Sequence, residues 1–182
     1  MIVFVGASAS GKTELAKILC TSFGYTKCIT TTTRNMRNNE KQDIDYHFIS
    51  KETFMNKITK GDFIEVTNYQ DNLYGIQKKD IITNGVIIVD PQGANTLIDV
   101  MDDKVFITYV ESTEDLRRKR MYNRGDTEQV IQKRISSDYH IFQPQNIKRI
   151  DLYLRNDDDS LLKLAQLIHQ KYQLYIEKVN NH

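Results

Sequence analysis

Scarcity narrows this chain first. It has no tryptophan, two prolines and two cysteines in 182 residues. So few prolines, with no low-complexity tract, exclude long disordered linkers. Cys20 and Cys28 have no histidine at a metal-ligand spacing, which excludes a zinc site. They read as two buried or half-buried thiols, and a disulfide is not expected in a cytosolic protein. No apolar run approaches the ~20 residues of a membrane-spanning helix. The start, MIVFVGAS, lacks a basic stretch and is too short for a signal peptide, so a cytoplasmic location without a membrane partner is expected. Charge of one sign is also lacking, because 25 Lys and Arg against 24 Asp and Glu leave a formal net charge of +1. No global field then draws the chain to nucleic acid or a membrane surface, and any anion site must come from local clustering.

What is there is ordinary for one domain with a real core: 40% hydrophobic and 27% charged residues. Ile2 to Val5 is a short apolar run ending at a glycine, which reads as a buried strand. Three more runs, over residues 86–89, 105–110 and 152–154, read the same way. From Thr13, the apolar residues Leu15, Ile18 and Leu19 fall at helical spacing. Helical patterns also cover residues 113–122, 128–137 and 161–175. Strands alternating with helices predict an α/β fold, a parallel sheet with helices on both faces. Residues 30–83 break the rhythm. They are polar, with alternating runs such as 63–69 and turn residues at Asp71 and Asn72, and read as an inserted α+β region with antiparallel strands. Residues 117–137 form a second inserted element, rich in arginine and carrying Gly125. The core is then about residues 1–29, 84–116 and 138–182, all within a single domain.

The sharpest motif is GASASGKT, which fits G-x-x-x-x-G-K-[ST]: Gly6, Ala7, Ser8, Ala9, Ser10, Gly11, Lys12 and Thr13. Its glycines let the backbone curl so that successive N–H groups face one anion. Lys12 offers a point charge to a β/γ-phosphate and the Thr13 hydroxyl a ligand to magnesium (Mg2+). The helix that follows adds its N-terminal dipole. A strand before and a helix after supply the context the motif needs. The chain therefore binds a nucleoside triphosphate.

A second anion site follows in TTTTRNMRNNEKQDIDYHF, residues 30–48. Arg34 and Arg37 are three apart, with hydroxyls before them and Tyr46 after. A guanidinium can donate two parallel hydrogen bonds to a phosphate. Spacing alone leaves open that these are two solvated arginines. The wider pattern resembles the guanylate kinase family, whose chains read S-x-T-T-R-x-x-R-x-G-E-x-x-G-x-D-Y-x-F after the first helix. This chain has Thr30, Thr32, Thr33, Arg34, Arg37, Glu40, Asp45, Tyr46 and Phe48 at those places. The resemblance continues through SKETFMNKITKGDFIEV (50–66), LYG (73–75), DPQG (90–93), TEDLRRKRMYNRG (113–125), QKRI (132–135) and RND (155–157), nearly the whole chain in order.

The resemblance implies a P-loop fold, ATP and Mg2+ as cofactors, and GMP as the phosphoryl acceptor. It implies that Thr30, Arg34, Arg37, Tyr46 and Tyr74 hold the acceptor phosphate and that Glu65 accepts from guanine. Asp90 would be an acid of the active-site strand, and Asn156 would lie beside the adenine of ATP. Arg120, Arg124 and Arg134 would be lid arginines acting in catalysis with Lys12 and Arg34. At helical spacing, Arg117, Arg120 and Arg124 share one face, which suits a lid that neutralises a transferring phosphoryl group. The run RRKRMYNR could instead suit nucleic acid, but only Tyr122 interleaves it, so no nucleic-acid partner is expected. A monomer or homodimer is expected.

Three positions depart from the family. Ile88 stands where its first strand acid would be, Ile76 where a Ser or Thr hydroxyl contacts guanine O6, and Pro91 follows Asp90. An aliphatic Ile76 cannot make that bond, so weaker or altered guanine selectivity is expected. Two other readings stay open: a kinase on this scaffold for another nucleoside monophosphate or a sugar phosphate, and a non-catalytic interaction module. His47, His140, His169 and His182 show no ligand or triad spacing and read as structural or solvated.

Overall fold

The structure is a computed structural model that describes residues 1–38, 40–157 and 160–181; the reading of His182 lies outside the described residues. The chain opens with strand β1 (Ile2–Val5), all four side chains fully buried. Helix α1 (Lys12–Phe23) follows and ends on Gly24, whose φ of 73° and amide bond to the Leu19 carbonyl make a left-handed cap. Then come β2 (Thr26–Lys27), β3 (Thr31–Thr32), β4 (His47–Phe48) and α2 (Lys51–Thr59), the last capped by Ser50. Strands β5 (Phe63–Tyr69) and β6 (Asn72–Gln77) form a hairpin, with φ of 50° at Gln70 and 63° at Asp71. Two successive left-handed residues give the turn the twist that an antiparallel pair needs.

The second half alternates regularly. It runs β7 (Gly85–Ile88), α3 (Pro91–Met101), β8 (Phe106–Glu111), α4 (Glu114–Asn123), α5 (Glu128–Ile141), β9 (Leu152–Arg155) and α6 (Leu161–Asn180). Among the described residues, one sheet has the order β2-β7-β1-β8-β9 with every pair parallel. The pleat divides the core. Ile2 and Phe4 face α1 and α6, packing with Leu15, Leu19, Leu164 and Ile168. Val3 and Val5 face the other way, with Ala94 and Leu97 of α3. Burial on both faces is why β1 reads as an unbroken apolar run rather than an alternating one.

The four strands expected from apolar runs are β1, β7, β8 and β9 of the five-stranded core sheet, whose short edge strand β2 was not expected, and the fold is the α/β architecture expected. Two helices were not legible. Helix α3 buries Pro91, Gly93, Ala94 and Leu97 on one face, but Gly93 and Asn95 are poor helix formers and mask that stripe in the sequence; its start is set by Asp90, which caps it through Gly93 N at 2.8 Å, and by Pro91 at its first position. Helix α2 buries Phe54 alone. A second sheet, order β4-β3-β6-β5, is antiparallel at β3–β6 and β5–β6 but parallel at β3–β4. That parallel pair corrects the expectation of antiparallel strands throughout. The excursion over residues 33–46 is long enough to bring the chain back in the same direction. Among the described residues no helix is long and apolar enough to cross a membrane. Both cysteines are free.

Candidate active site

The loop between β1 and α1 is shaped by two positions that accept only glycine. A Cβ at Gly6 would lie 2.2 Å from the Val110 carbonyl oxygen, and one at Gly11 2.1 Å from Asn156 Nδ2, where φ is also 100°. Lys12 turns back into the curl. Its Nζ donates to the carbonyls of Gly6 (2.5 Å) and Ala7 (2.7 Å) and to Ser10 Oγ (3.2 Å). Burial pushes this ammonium down to about 7; Asp138 opposes the shift, and Arg117 and Arg124 add to it. Thr13 is exposed at the start of α1.

Across the cavity, Glu40 organises the two arginines of the insert. Arg34 grips it with two bonds, Nη1–Oε2 at 2.9 Å and Nη2–Oε1 at 2.8 Å. Glu40 also receives the Arg37 amide at 2.9 Å and Arg37 Nη1 at 3.4 Å. Burial opposes ionisation of Glu40, but the bonds from Arg34 and the Arg37 amide outweigh it, and its carboxyl is held below the ordinary range. The Arg34 guanidinium lies 5.4 Å from the Tyr46 ring centre and 5.5 Å from that of Phe48. Tyr46 meets Tyr74 edge to face at 6.2 Å. Net positive charge is thus fixed in place before any ligand arrives.

The far end of the cavity is acidic and tight. Glu65 is 9% exposed and accepts a hydrogen bond from the Thr67 hydroxyl. Burial pushes its carboxyl up to about 7; the Thr67 bond opposes this and Asp90 adds to it. Burial likewise raises Asp90. Ile76, Ile88 and Val89 supply apolar wall beside them. One continuous cavity is therefore lined by Gly6, Ser8, Lys12 and Thr13 at one end, by Thr30, Arg34, Arg37, Tyr46 and Tyr74 along its length, and by Glu65 and Asp90 at the other. Arg124 and Arg134 look into it. Arg134 Nε is buried without a hydrogen-bond partner, a donor that an anion in the cavity could satisfy. An adjoining cavity shares Ala9, Lys12 and Thr13 and adds Gly11 and Arg120.

Not every residue singled out from the sequence faces these spaces. Ser10 and Asn156 are 0% and 2% exposed and lie behind the loop. Asn156 Nδ2 donates to the Ser10 carbonyl at 2.8 Å, so its side chain braces the loop from the rear. Arg120 is also tied to the loop's back, through Ser112 Oγ (2.8 Å), the Asn156 carbonyl (3.0 Å) and the Ala9 carbonyl (3.3 Å). Arg124 pairs with Asp126 at 2.6 Å. His47 sits between Asp43 and Asp80, and His169 bonds Tyr25 and stacks on Phe23. Glu40, three residues after Arg37, holds both arginines, a role that its place in the sequence pattern could have signalled. Thr67 and Asp138 escape sequence reasoning altogether, for neither belongs to a local pattern.

Among the described residues there is no cluster of three or more His, Cys, Asp or Glu side chains able to hold a metal. Magnesium needs no such cage, because it commonly keeps several waters and binds one or two protein oxygens together with substrate phosphates. The exposed Thr13 hydroxyl, beside Lys12, fits that donor set.

A glycine-rich phosphate loop between a parallel strand and a helix, joined by one cavity to a second basic site, defines a P-loop nucleotide phosphotransferase. The guanylate kinase family model matches residues 1–171. A guanylate kinase of Clostridioides difficile (strain 630) is 32% identical over 166 residues, spanning 87% of this chain and 80% of that protein. One of Ehrlichia chaffeensis is 33% identical over 168 residues, spanning 87% and 79%. The crystal structure of guanylate kinase from Anaplasma phagocytophilum shares the fold, with a TM-score of 0.68 at 19% identity over 96% of this chain and 85% of that one. The chain belongs to the guanylate kinase family. It is a nucleoside monophosphate kinase.

Proposed function

We propose that the protein transfers the γ-phosphate of ATP directly to the phosphate of GMP. The observation that carries this is the continuous cavity with Lys12 and the phosphate loop at one end, paired arginines and tyrosines along it, and a buried carboxylate at the other. Residues 6–13 cradle the triphosphate, with Asn156 bracing them on the adenine side. Thr30, Arg34, Arg37, Tyr46 and Tyr74 hold the acceptor phosphate. Glu65, supported by Asp90, accepts from the N1–H and exocyclic amine of guanine. Magnesium on Thr13 and the triphosphate oxygens would supply charge neutralisation. Lys12, Arg34, Arg124 and Arg134 spread the remaining charge of the transferring group, and Arg120 keeps the loop in shape. No side-chain nucleophile is needed, since positioning the two phosphates in line does most of the work. The region of residues 30–83 carries the acceptor, and residues 117–137 act as a lid that keeps water from the donor. The protein would act in the cytoplasm as a monomer or homodimer.

Guanine recognition rests on Glu65 and Asp90, because Ile76 and Ile88 offer no hydrogen bond. A coupled assay with GMP, AMP, UMP, CMP and TMP tests the acceptor. GMP should turn over at least as well as any other, with a narrower margin than a full set of base contacts would give. Absence of turnover with GMP beside brisk turnover of another monophosphate removes the assignment. Ile76 and Ile88 are the residues that favour that second reading.

Lys12 supplies a separate check. With its ammonium lowered to about 7 in the free protein, a bound phosphate restores the charged form, so ATP binding at pH 8 should take up a proton. Calorimetry in two buffers of different ionisation enthalpy reads this directly; equal heats in both would count against it.

A further inference from the structure

The hairpin tip between β5 and β6 is docked along α5 by three consecutive residues. Tyr69 donates to Asp138 Oδ1 at 2.5 Å, Gln70 Nε2 reaches Ser137 Oγ at 3.2 Å, and Asp71 pairs with Lys133 at 3.2 Å. The Tyr69 ring also meets Phe142 edge to face at 6.3 Å. Asp138 lies at the centre. Its side chain is 0% exposed, and its other oxygen accepts the Ser8 amide at 2.7 Å and Arg117 Nη2 at 2.7 Å. Arg117 in turn donates to the Ser8 carbonyl at 2.8 Å. One buried carboxylate therefore touches the phosphate loop, the arginine helix α4 and the acceptor-carrying sheet.

We propose that Asp138 is a positioning residue that fixes the acceptor sheet to the phosphate loop, with Tyr69 as its arm to the sheet and Ser8 and Arg117 as its arms to the loop and lid. A carboxylate beside a phosphate site would ordinarily repel the ligand. Arg117 neutralises it, so it can hold the Ser8 amide without adding net negative charge. Because the β5–β6 hairpin carries both Glu65 and Tyr74, the position of its tip sets where the acceptor sits relative to Lys12. The exposed Asp71–Lys133 pair, 90% and 64% exposed, adds little to this dock. The inference rests on the reading of this cavity as joining a donor and an acceptor.

The test uses the full chain and three variants: Tyr69→Phe, which removes one oxygen and keeps the ring on Phe142; Asp138→Asn, which keeps the shape; and Lys133→Ala. Hydrogen exchange over residues 6–13 and 63–77 needs no acceptor. Asp138→Asn should speed exchange in both segments, Tyr69→Phe in the hairpin alone, and Lys133→Ala in neither. In the kinase assay, a lost hydrogen bond to a charged group corresponds to a factor of about ten to a hundred. KM for the acceptor should rise by that much in Tyr69→Phe and in Asp138→Asn. The double variant should fall well short of the product of the two single effects, because Tyr69 acts mainly through Asp138, although its hydroxyl also lies 3.4 Å from Ser8 Oγ. Unchanged exchange in both segments, multiplying effects in the double variant, or an equal effect of Lys133→Ala each overturns the proposal. If exchange behaves as expected while GMP is not a substrate, the clasp stands and the acceptor assignment falls. Thermal midpoints show that the variants fold, and Tyr69→Phe keeps the test open if Asp138→Asn does not.

Discussion

Replacing Lys12 with alanine should lower turnover by about two to three orders of magnitude, with a larger effect on kcat than on KM for ATP. The reason is that the ammonium is the one lysine charge at the curl of the phosphate loop. Its interaction strengthens as negative charge gathers on the oxygens between donor and acceptor. Lys12 also holds the loop together, through the carbonyls of Gly6 and Ala7 and the Ser10 hydroxyl. A loss of activity could then reflect a collapsed loop. Lys12→Met separates the two effects, because it fills the space without the charge. If Lys12→Met retains activity within about twofold of the wild type, charge at this position is not what drives transfer.

Glu65→Gln should raise KM for GMP by about two orders of magnitude or more and leave KM for ATP nearly unchanged. In the proposed complex two guanine donors would face one carboxylate in a cavity that offers them little else, and the amide would present a donor of its own to the same edge. Sites built on hydrogen bonding reject a mismatched partner by factors of about ten thousand when water is excluded. The smaller figure expected here follows from Asp90, which remains beside the base. The same carboxylate predicts a pH dependence with a definite sign. Burial raises Glu65 to about 7, so the acceptor form is complete only above that value. KM for GMP should rise as pH falls from 8 to 6, while Glu65→Gln should flatten the profile. A wild-type KM that is constant across this range would show that the carboxylate is ionised throughout or does not touch the base.

Glu65 and its neighbours make the proposed base end of the cavity mostly apolar apart from two carboxyls. Thr67 donates to Glu65, and Ile76 is 2% exposed in the core beneath it. The wall that would offer a hydroxyl to guanine O6 is instead apolar, and buried apolar surface stabilises the sheet. On the proposed reading, the chain would lack one base contact and keep the phosphate contacts. Recognition should therefore lean on the phosphate end, where Arg34 and Arg37 are already held by Glu40.

The parts of the protein legible in sequence are those whose physics is local. The phosphate loop needs its glycines, lysine and hydroxyl within residues 6–13, so the motif and its place between strand and helix were readable together. The strands buried on both faces show as continuous apolar runs, and α1, α4, α5 and α6 show as periodic stripes or arginine rows. The arginines of residues 34 and 37 carried their meaning in a short ordered pattern. What the sequence could not convey depends on contacts between distant segments. Asn156, expected beside the donor base, turns its amide into Ser10 because the end of β9 packs against the rear of the loop. Helix α3 starts at the Asp90 cap and packs Ala94 and Leu97 against Val3 and Val5, contacts between segments about ninety residues apart. Asp138 gathers Ser8, Tyr69 and Arg117 from positions 130, 69 and 21 residues away. A carboxylate in the middle of a polar helix stretch carries no signal of that. Only burial, which removes water and leaves each oxygen to be satisfied by protein donors, decides that it becomes the point where the phosphate loop, α4 and the β5–β6 hairpin meet.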